Sequence, residues 1–297
     1  MRKLKNKAHN WPEVFSLFLA DRAPTCRPRT LRYYRLQWAA WEKFNGEGAP
    51  PSRELCQAFL LHLGKTCNPN GVLAVWRGVR AVFTFAYAEG LSPFDPKTVK
   101  PPREQRTQKE PLTQAECRAV LGACLNPRDK ALVSLLVDTG LRAQEVCSLR
   151  PQDLNWEARE VFVWNGKGGK QRTVPFSAAT LKALRRWEHH REPESAWFFH
   201  NVDNSYGTQM TPDYLHRCLT RIGQRVNVSP LGPHRLRHTF GRLYIAGGGD
   251  SLQLQRLMGH ENVTVTMRYV KLSREDLQKG HAKHSPLAHV LFGEQRV

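Results

Sequence analysis

Apolar residues in the first third of the chain recur at helical spacing. Leu31, Tyr34, Trp38 and Trp41 make one stripe. A longer one runs through Val72, Val75, Trp76, Val79, Val82, Phe83, Ala86 and Tyr87, with Gly90 placed to end its helix. Shorter apolar segments near Trp11–Leu19 and Leu55–Leu63 predict two more helices, so this region reads as a small bundle of about four. Arg32, Arg35, Arg77 and Arg80 fall off the apolar stripes. The pattern puts aromatic rings inside the bundle and guanidiniums outside it.

The texture then changes. Residues 92–111, SPFDPKTVKPPREQRTQKEP, are rich in proline and charge and nearly empty of large apolar groups. Such a stretch reads as an interdomain linker that contributes nothing to a core. Beyond it, Thr113 and Glu116 form a capping-box signature ahead of Val120, Leu121 and Leu125. A helix over 128–139 should stop at Gly140. Arg159–Trp164 and Gln171–Pro175 read as paired strands joined by the turn-forming run Asn165-Gly166-Lys167-Gly168-Gly169. Ser177 and Thr211 are N-cap candidates, the second followed by Pro212, and Asp250 with Gln253 resembles another cap. The expected organisation is a helical domain over 1–95, a basic linker over 96–111, a mainly α domain with a small β-sheet over 112–275, and a tail over 276–297.

Charge narrows the partner. Lys and Arg outnumber Asp and Glu by 45 to 26, a net charge of +19, and basic groups are in excess on both sides of residue 110. A surplus of this size favours a polyanion, because each cationic contact to a phosphate releases a condensed counterion. Charge alone leaves ribosomal, RNA-binding and membrane-surface roles open. Seven cysteines (Cys26, Cys56, Cys67, Cys117, Cys124, Cys147 and Cys218) are scattered, with no CxxC pair. That argues for a reducing compartment and buried, inert thiols, and against a disulfide framework or zinc ribbon. The basic N-terminus has no apolar stretch after it and so does not read as a signal peptide. No run approaches the roughly 18 apolar residues of a membrane span. A soluble, cytoplasmic or nucleoid-associated protein with no membrane partner is expected.

Four segments carry candidate chemistry: Thr139-Gly140-Leu141-Arg142-Ala143-Gln144-Glu145, Gly166-Lys167-Gly168-Gly169-Lys170, His234-Arg235-Leu236-Arg237-His238, and Gly259-His260 followed by Tyr269. Each is weak alone. Together, in this order and spacing, they resemble the tyrosine recombinase (phage integrase) family across about residues 110–275. The family pattern is an arginine in a TGLR-x-x-E box, a lysine on a hairpin, HxLRH, a His or Trp after an LGH-like glycine, then the nucleophilic tyrosine. The helical N-terminal region is similar to the family's core-binding domain, and the resemblance implies that the two domains form a C-shaped clamp.

A phosphodiester is an anion, so attack on it requires positive charge at the nonbridging oxygens. Guanidiniums match phosphate geometry and stay charged, which makes Arg142 and Arg237 the candidates, with His260 adding a hydrogen bond. The resemblance assigns the nucleophile to Tyr269, the proton acceptor to His234, and the leaving-group acid to Lys167, with Lys170 three residues away as the alternative. Glu145 is expected to hold Arg142 or a neighbour in place, and His238 to have a supporting structural role. Arg32, Arg35, Arg77, Arg80 and Lys170 are candidate DNA contacts. His234 and His238 do not read as zinc ligands, because Arg235 and Arg237 lie between them and no HExxH-like glutamate is present.

The reaction implied is cutting and rejoining of double-stranded DNA at a recombination site through a 3′-phosphotyrosyl link. No cofactor and no metal are required. A homo-tetramer on synapsed DNA is implied, with a second recombinase or accessory protein as an open option and a monomer in free solution. The tail could dock on a neighbouring subunit or fold back on its own domain. Gln144, where many members carry serine, and Glu261-Asn262 depart from the common pattern at positions that do no chemistry. Two other readings stay open: a catalytically silent DNA-binding protein on the same fold, and a type IB topoisomerase-like nicking-closing enzyme. The absence of an arm-type domain before Trp11 favours a simple two-domain recombinase.

Overall fold

All four helices expected from the N-terminal apolar stripes are present in the computed structural model, which describes residues 10–46, 48–105, 110–164, 171–203 and 205–259. They are α1 (Trp11–Arg22), α2 (Pro28–Asn45), α3 (Arg53–Gly64) and α4 (Pro69–Ala88). Their starts are chemically marked. Proline opens α2 and α4, where the missing N–H costs nothing, and Ser52 and Asn68 accept from the N–H groups of Leu55 and Gly71. The stripes meet in a core of Phe18, Trp38, Trp41, Phe59, Trp76 and Phe83. Trp41 meets both Phe59 and Phe83 edge-on, with ring centroids 5.1 Å apart in each pair. Helices α2 and α4 cross closely at Gly78, where a Cβ would lie 2.6 Å from the Gln37 side chain. Tyr87, assigned to the apolar stripe, is instead exposed, while Ala86 beside it is buried.

The proline-rich stretch departs from its expected role. Pro96–Thr98 forms one 3-10 turn, Val99 is buried, and Phe94 packs on Phe83 at 5.7 Å. Sparse apolar groups are enough to seat a chain segment when each falls where the bundle is open. The chain divides into two compact units, residues 1–108 and 109–297.

The second unit contains α5 (Gln114–Gly122), α6 (Pro127–Thr139), α7 (Ala143–Cys147), β1 (Leu154–Asn155), β2 (Glu160–Val163), β3 (Arg172–Pro175), α8 (Ala178–Glu188), α9 (Pro212–Arg225), α10 (Pro233–Ala246) and α11 (Ser251–Met258). Thr113 and Glu116 close a reciprocal capping box on α5, as the sequence predicts. Helix α6 runs through the middle of the unit against α5, α8 and α10. Its Ala131, Leu132, Val133, Leu135 and Leu136 are all buried, which is why its sequence shows no single apolar face.

Strands β2 and β3 pair antiparallel from Glu160↔Pro175 to Val163↔Arg172, so the predicted strand pair is present, while the run Asn165–Lys170 between them lies outside the described residues. Val161, Val163 and Val174 point inward. Strand β1 adds an antiparallel edge through Leu154↔Val161 and is too short to leave an alternating signal in the sequence. Ser177, Thr211 and Asp250 cap α8, α9 and α11. The fold is therefore mainly α with a small sheet. All seven cysteines are free; Cys56, Cys117, Cys147 and Cys218 are buried, whereas Cys26, Cys67 and Cys124 are only half-buried, contrary to a uniform interior placement. Burial pushes the Cys56 and Cys147 thiols up to about 12.

Candidate active site

The site begins where α6 must stop. Gly140 takes the left-handed conformation at φ +60°, and a Cβ there would meet the Phe240 ring at once. The turn sends Leu141 into the core and leaves Arg142 as the residue that opens α7. Glu145, one turn on, folds back. Its Oε2 accepts from the Arg142 backbone N–H at 2.8 Å, and its Oε1 accepts from Arg142 Nη1 at 3.0 Å. The expectation that Glu145 holds Arg142 or a neighbour describes this contact.

Helix α10 supplies the second guanidinium. Arg237 is buried and donates through Nη1 to the Gly140 carbonyl and through Nη2 to the Met258 carbonyl, both at 2.6 Å. Arg142 Nη2 donates to the next carbonyl, Gly259, at 2.8 Å. The two arginines, distant in sequence, thus meet at the last turn of α11. Unsatisfied carbonyls at a helix C-terminus carry partial negative charge, so they are natural acceptors for guanidiniums. Gly259 takes φ +63° to end that helix.

A third arginine completes the cluster. Arg172, the first residue of β3, grips both oxygens of Glu145 at 2.9 and 2.8 Å and donates through Nε to the Leu257 carbonyl at 2.8 Å. Sequence reasoning missed it. The available signal was the strand period: Arg172 lies two residues before the buried Val174 and so faces the same way, and an inward-facing arginine requires a partner. Burial pushes the Glu145 carboxyl up, but the hydrogen bonds and charge of Arg172, with those of Arg142, outweigh it and hold the group below the usual range. Arg142 and Arg172 both hold this one carboxylate, and Arg237 bonds to the neighbouring Met258 carbonyl, so the cluster carries a surplus of positive charge suited to an anion.

His234 and His238 lie one turn apart on α10, the helix that carries Arg237. His234 is exposed, and the two rings meet edge-on with their Nε2 atoms 3.3 Å apart. Arg235 turns away from both, donating to the Glu110 and Pro230 carbonyls and pairing with Glu116. Lys167, Lys170, His260 and Tyr269 lie outside the described residues. In the first unit Arg32, Arg35, Arg77 and Arg80 are exposed, and Arg77 pairs with Glu104 at 3.4 Å on the surface. Among the described residues no group of three or more His, Cys, Asp or Glu is arranged to hold a metal ion. No described helix is long and apolar enough to cross a membrane.

Residues 108–276 match the phage integrase family. The tyrosine recombinase XerA of Thermococcus kodakarensis is 30% identical over 273 residues, covering 90% of this chain and 93% of the relative. The tyrosine recombinase XerC of Myxococcus xanthus is 30% identical over 299 residues, covering 93% and 97%. Among solved structures, the Tn1549 transposon integrase in complex with transposon right-end DNA has a TM-score of 0.72 at 20% identity, covering 93% of this chain and 99% of the other. A lambda integrase dimer bound to a core site has a TM-score of 0.71 at 18% identity, covering 87% and 93%. At such identities the structural likeness concerns the fold, which is that of DNA-bound integrases. The buried arginine cluster, the order of the motifs and these relatives converge: the chain belongs to the phage integrase family and is a tyrosine-type site-specific DNA recombinase.

Proposed function

We propose that this recombinase cleaves one strand of its DNA site by attack of the Tyr269 phenolate on a backbone phosphate. The O–P bond to the tyrosine forms as the bond to the 5′ oxygen breaks, giving a 3′-phosphotyrosyl link and a free 5′ hydroxyl. Arg142 and Arg237 bind the nonbridging oxygens, and His260 donates a further hydrogen bond. The Tyr269 proton, on a phenol with an unperturbed pKa of about 10, passes to His234. Lys167 protonates the leaving oxygen, with Lys170 as the substitute. The link keeps the energy of the cut phosphodiester, so the 5′ hydroxyl of another strand reseals it.

The observation that carries this reading is the convergence of the Arg142 and Arg237 guanidiniums on the consecutive carbonyls of Gly259 and Met258, the residues directly before His260. Two of the five N–H groups of Arg142 are spent on Glu145 and Gly259, and its side chain keeps 29% of its surface exposed, so a phosphate can reach it. Exchange between two duplexes needs four cleavage events, so the working assembly is a homo-tetramer on synapsed DNA, with residues 276–297 available to link subunits. Arg32, Arg35, Arg77, Arg80 and Lys170 grip the phosphate backbone around the cut. Acting on DNA, the working protein is nucleoid-associated in the cytoplasm.

A nicked duplex whose 5′ fragment diffuses away tests the reading. The wild-type chain should accumulate as a denaturant-resistant DNA adduct, and Tyr269→Phe should bind the same duplex with little change yet give none. A wild type that binds its site but never forms the adduct would mark a catalytically silent binder. An adduct formed by Tyr269→Phe would move the nucleophile elsewhere.

A further inference from the structure

We propose that Arg172 is a positioning residue for strand cleavage, acting through Glu145 on Arg142 and through Leu257 on the turn that leads into His260. This rests on the reading of Arg142 as a phosphate-binding residue. Arg172 itself is withdrawn from any substrate. Its side chain is 11% exposed, and all three guanidinium nitrogens are bonded to protein acceptors: Nη1 and Nη2 to the two oxygens of Glu145, Nε to the Leu257 carbonyl.

Its effect on Arg142 follows from the shared carboxylate. Glu145 is 5% exposed and is the side-chain acceptor for both arginines. Arg172 holds both carboxylate oxygens, which fixes the carboxylate plane and therefore the direction from which Arg142 Nη1 can approach. Remove Arg172 and the buried carboxylate has Arg142 as its one remaining side-chain partner among the described residues. Electrostatics would then draw Arg142 inward onto Glu145, away from the exposed face where a phosphate would meet it.

The second effect is on the backbone. Arg172, Arg237 and Arg142 donate in turn to Leu257, Met258 and Gly259, three consecutive carbonyls at the end of α11. The Arg172 guanidinium also lies flat against Gly259. A Cβ there would sit 3.2 Å from Nη1 and 3.3 Å from Cζ and Nε. The glycine therefore serves two needs at once, a left-handed turn and room for this cation. Lysine could not replace the fork, since one ammonium nitrogen cannot span two carboxylate oxygens and a carbonyl in that geometry.

The test uses the full chain, the nicked duplex at saturating protein, and single-turnover rates of adduct formation. Arg172→Met should keep site affinity within about threefold and lose about a hundredfold in adduct rate, the scale of loss expected when a reacting group is misplaced by around an ångström. Arg172→Lys should lose about tenfold, and it carries the test if the methionine variant fails to show a cooperative thermal transition. The discriminating arm replaces one nonbridging oxygen of the scissile linkage by methyl, which removes its charge and with it most of the demand for a positioned cation. On that substrate the deficits of Arg142→Ala and of the Arg172 variants should shrink together, to within about threefold of wild type. A purely structural lesion would slow both substrates equally, and that outcome would overturn the proposal, as would a full rate for Arg172→Lys on the charged substrate. If wild type reacts and Arg142→Ala does not, while Arg172→Met is normal, the role of Arg172 falls and the reading of the site stands. If wild type itself never reacts, the reading of the site falls and takes this role with it.

Discussion

The two units handle arginine in opposite ways. In the first, the interior is a set of aromatic rings, and Arg32, Arg35, Arg77 and Arg80 stay on the outside of the helices. In the second, the core is largely aliphatic, and guanidiniums are taken inside it: Arg128 on Asp129 and Tyr214, Arg237 on two carbonyls, Arg172 on Glu145. An exposed guanidinium keeps its rotamers and its hydration, so it can follow a phosphate backbone but cannot define one position in it. A buried one gives up hydration and must be repaid by fixed acceptors, and that repayment is what holds it still. One residue type thus stays hydrated and mobile on the surface of one unit and is fixed by acceptors inside the other.

The largest break in this contrast should come from changing shape without changing charge. Arg142→Lys keeps the cation but loses the fork that joins Glu145, the Gly259 carbonyl and an incoming phosphate. Its adduct rate on nicked duplex should fall by about a thousandfold, with site affinity nearly unchanged. A near-normal rate would mean that charge alone suffices in the second unit.

Next in size is Glu145→Gln. Leaving Arg142 and Arg172 facing an amide should cost about 3 kcal/mol of stability at neutral pH, read from denaturant or thermal unfolding. The pH dependence has a definite sign. The folded pKa of Glu145 lies below its ordinary value of 4.5, so its contribution is complete above that value and is lost as pH falls through the lower folded value. The gap between wild type and Glu145→Gln should therefore be widest near neutrality and close in acid. A gap that stayed constant with pH would remove the charge argument.

The smallest effect belongs to the exterior. Replacing Arg77 and Arg80 together by glutamine should leave the single-turnover rate at saturation unchanged. The dependence of log affinity on log salt should flatten by about one per arginine. Loss of rate at saturating protein would show that these residues do more than grip.

How much of this was legible in the sequence depends on how local each signal is. The long aromatic stripe of α4, the capping box at Thr113, the stop at Gly140 and the N-caps at Ser177, Thr211 and Asp250 are decided within a turn or two, and all were readable. Val99 was not, because whether a lone valine is buried depends on where a distant helix bundle leaves a gap. Strand β1 was not, being held by its partner and not by its own pattern. At the site, Arg142 and Arg237 were found because they sit in recognisable motifs. Arg172 sits in none, and its partners Glu145 and Leu257 are remote in the chain. Its strand register was a usable clue that motif reading passed over. Lys167, Lys170, His260 and Tyr269 fall outside the described residues.

The most direct measurement is to digest the DNA-bound product formed on nicked duplex and identify the linked peptide by mass spectrometry. One peptide should be found, carrying a nucleotide 3′-phosphate on the oxygen of Tyr269. A nucleotide attached to any other side chain, or turnover of a cleaved strand with no protein–DNA bond at any time, would contradict that expectation.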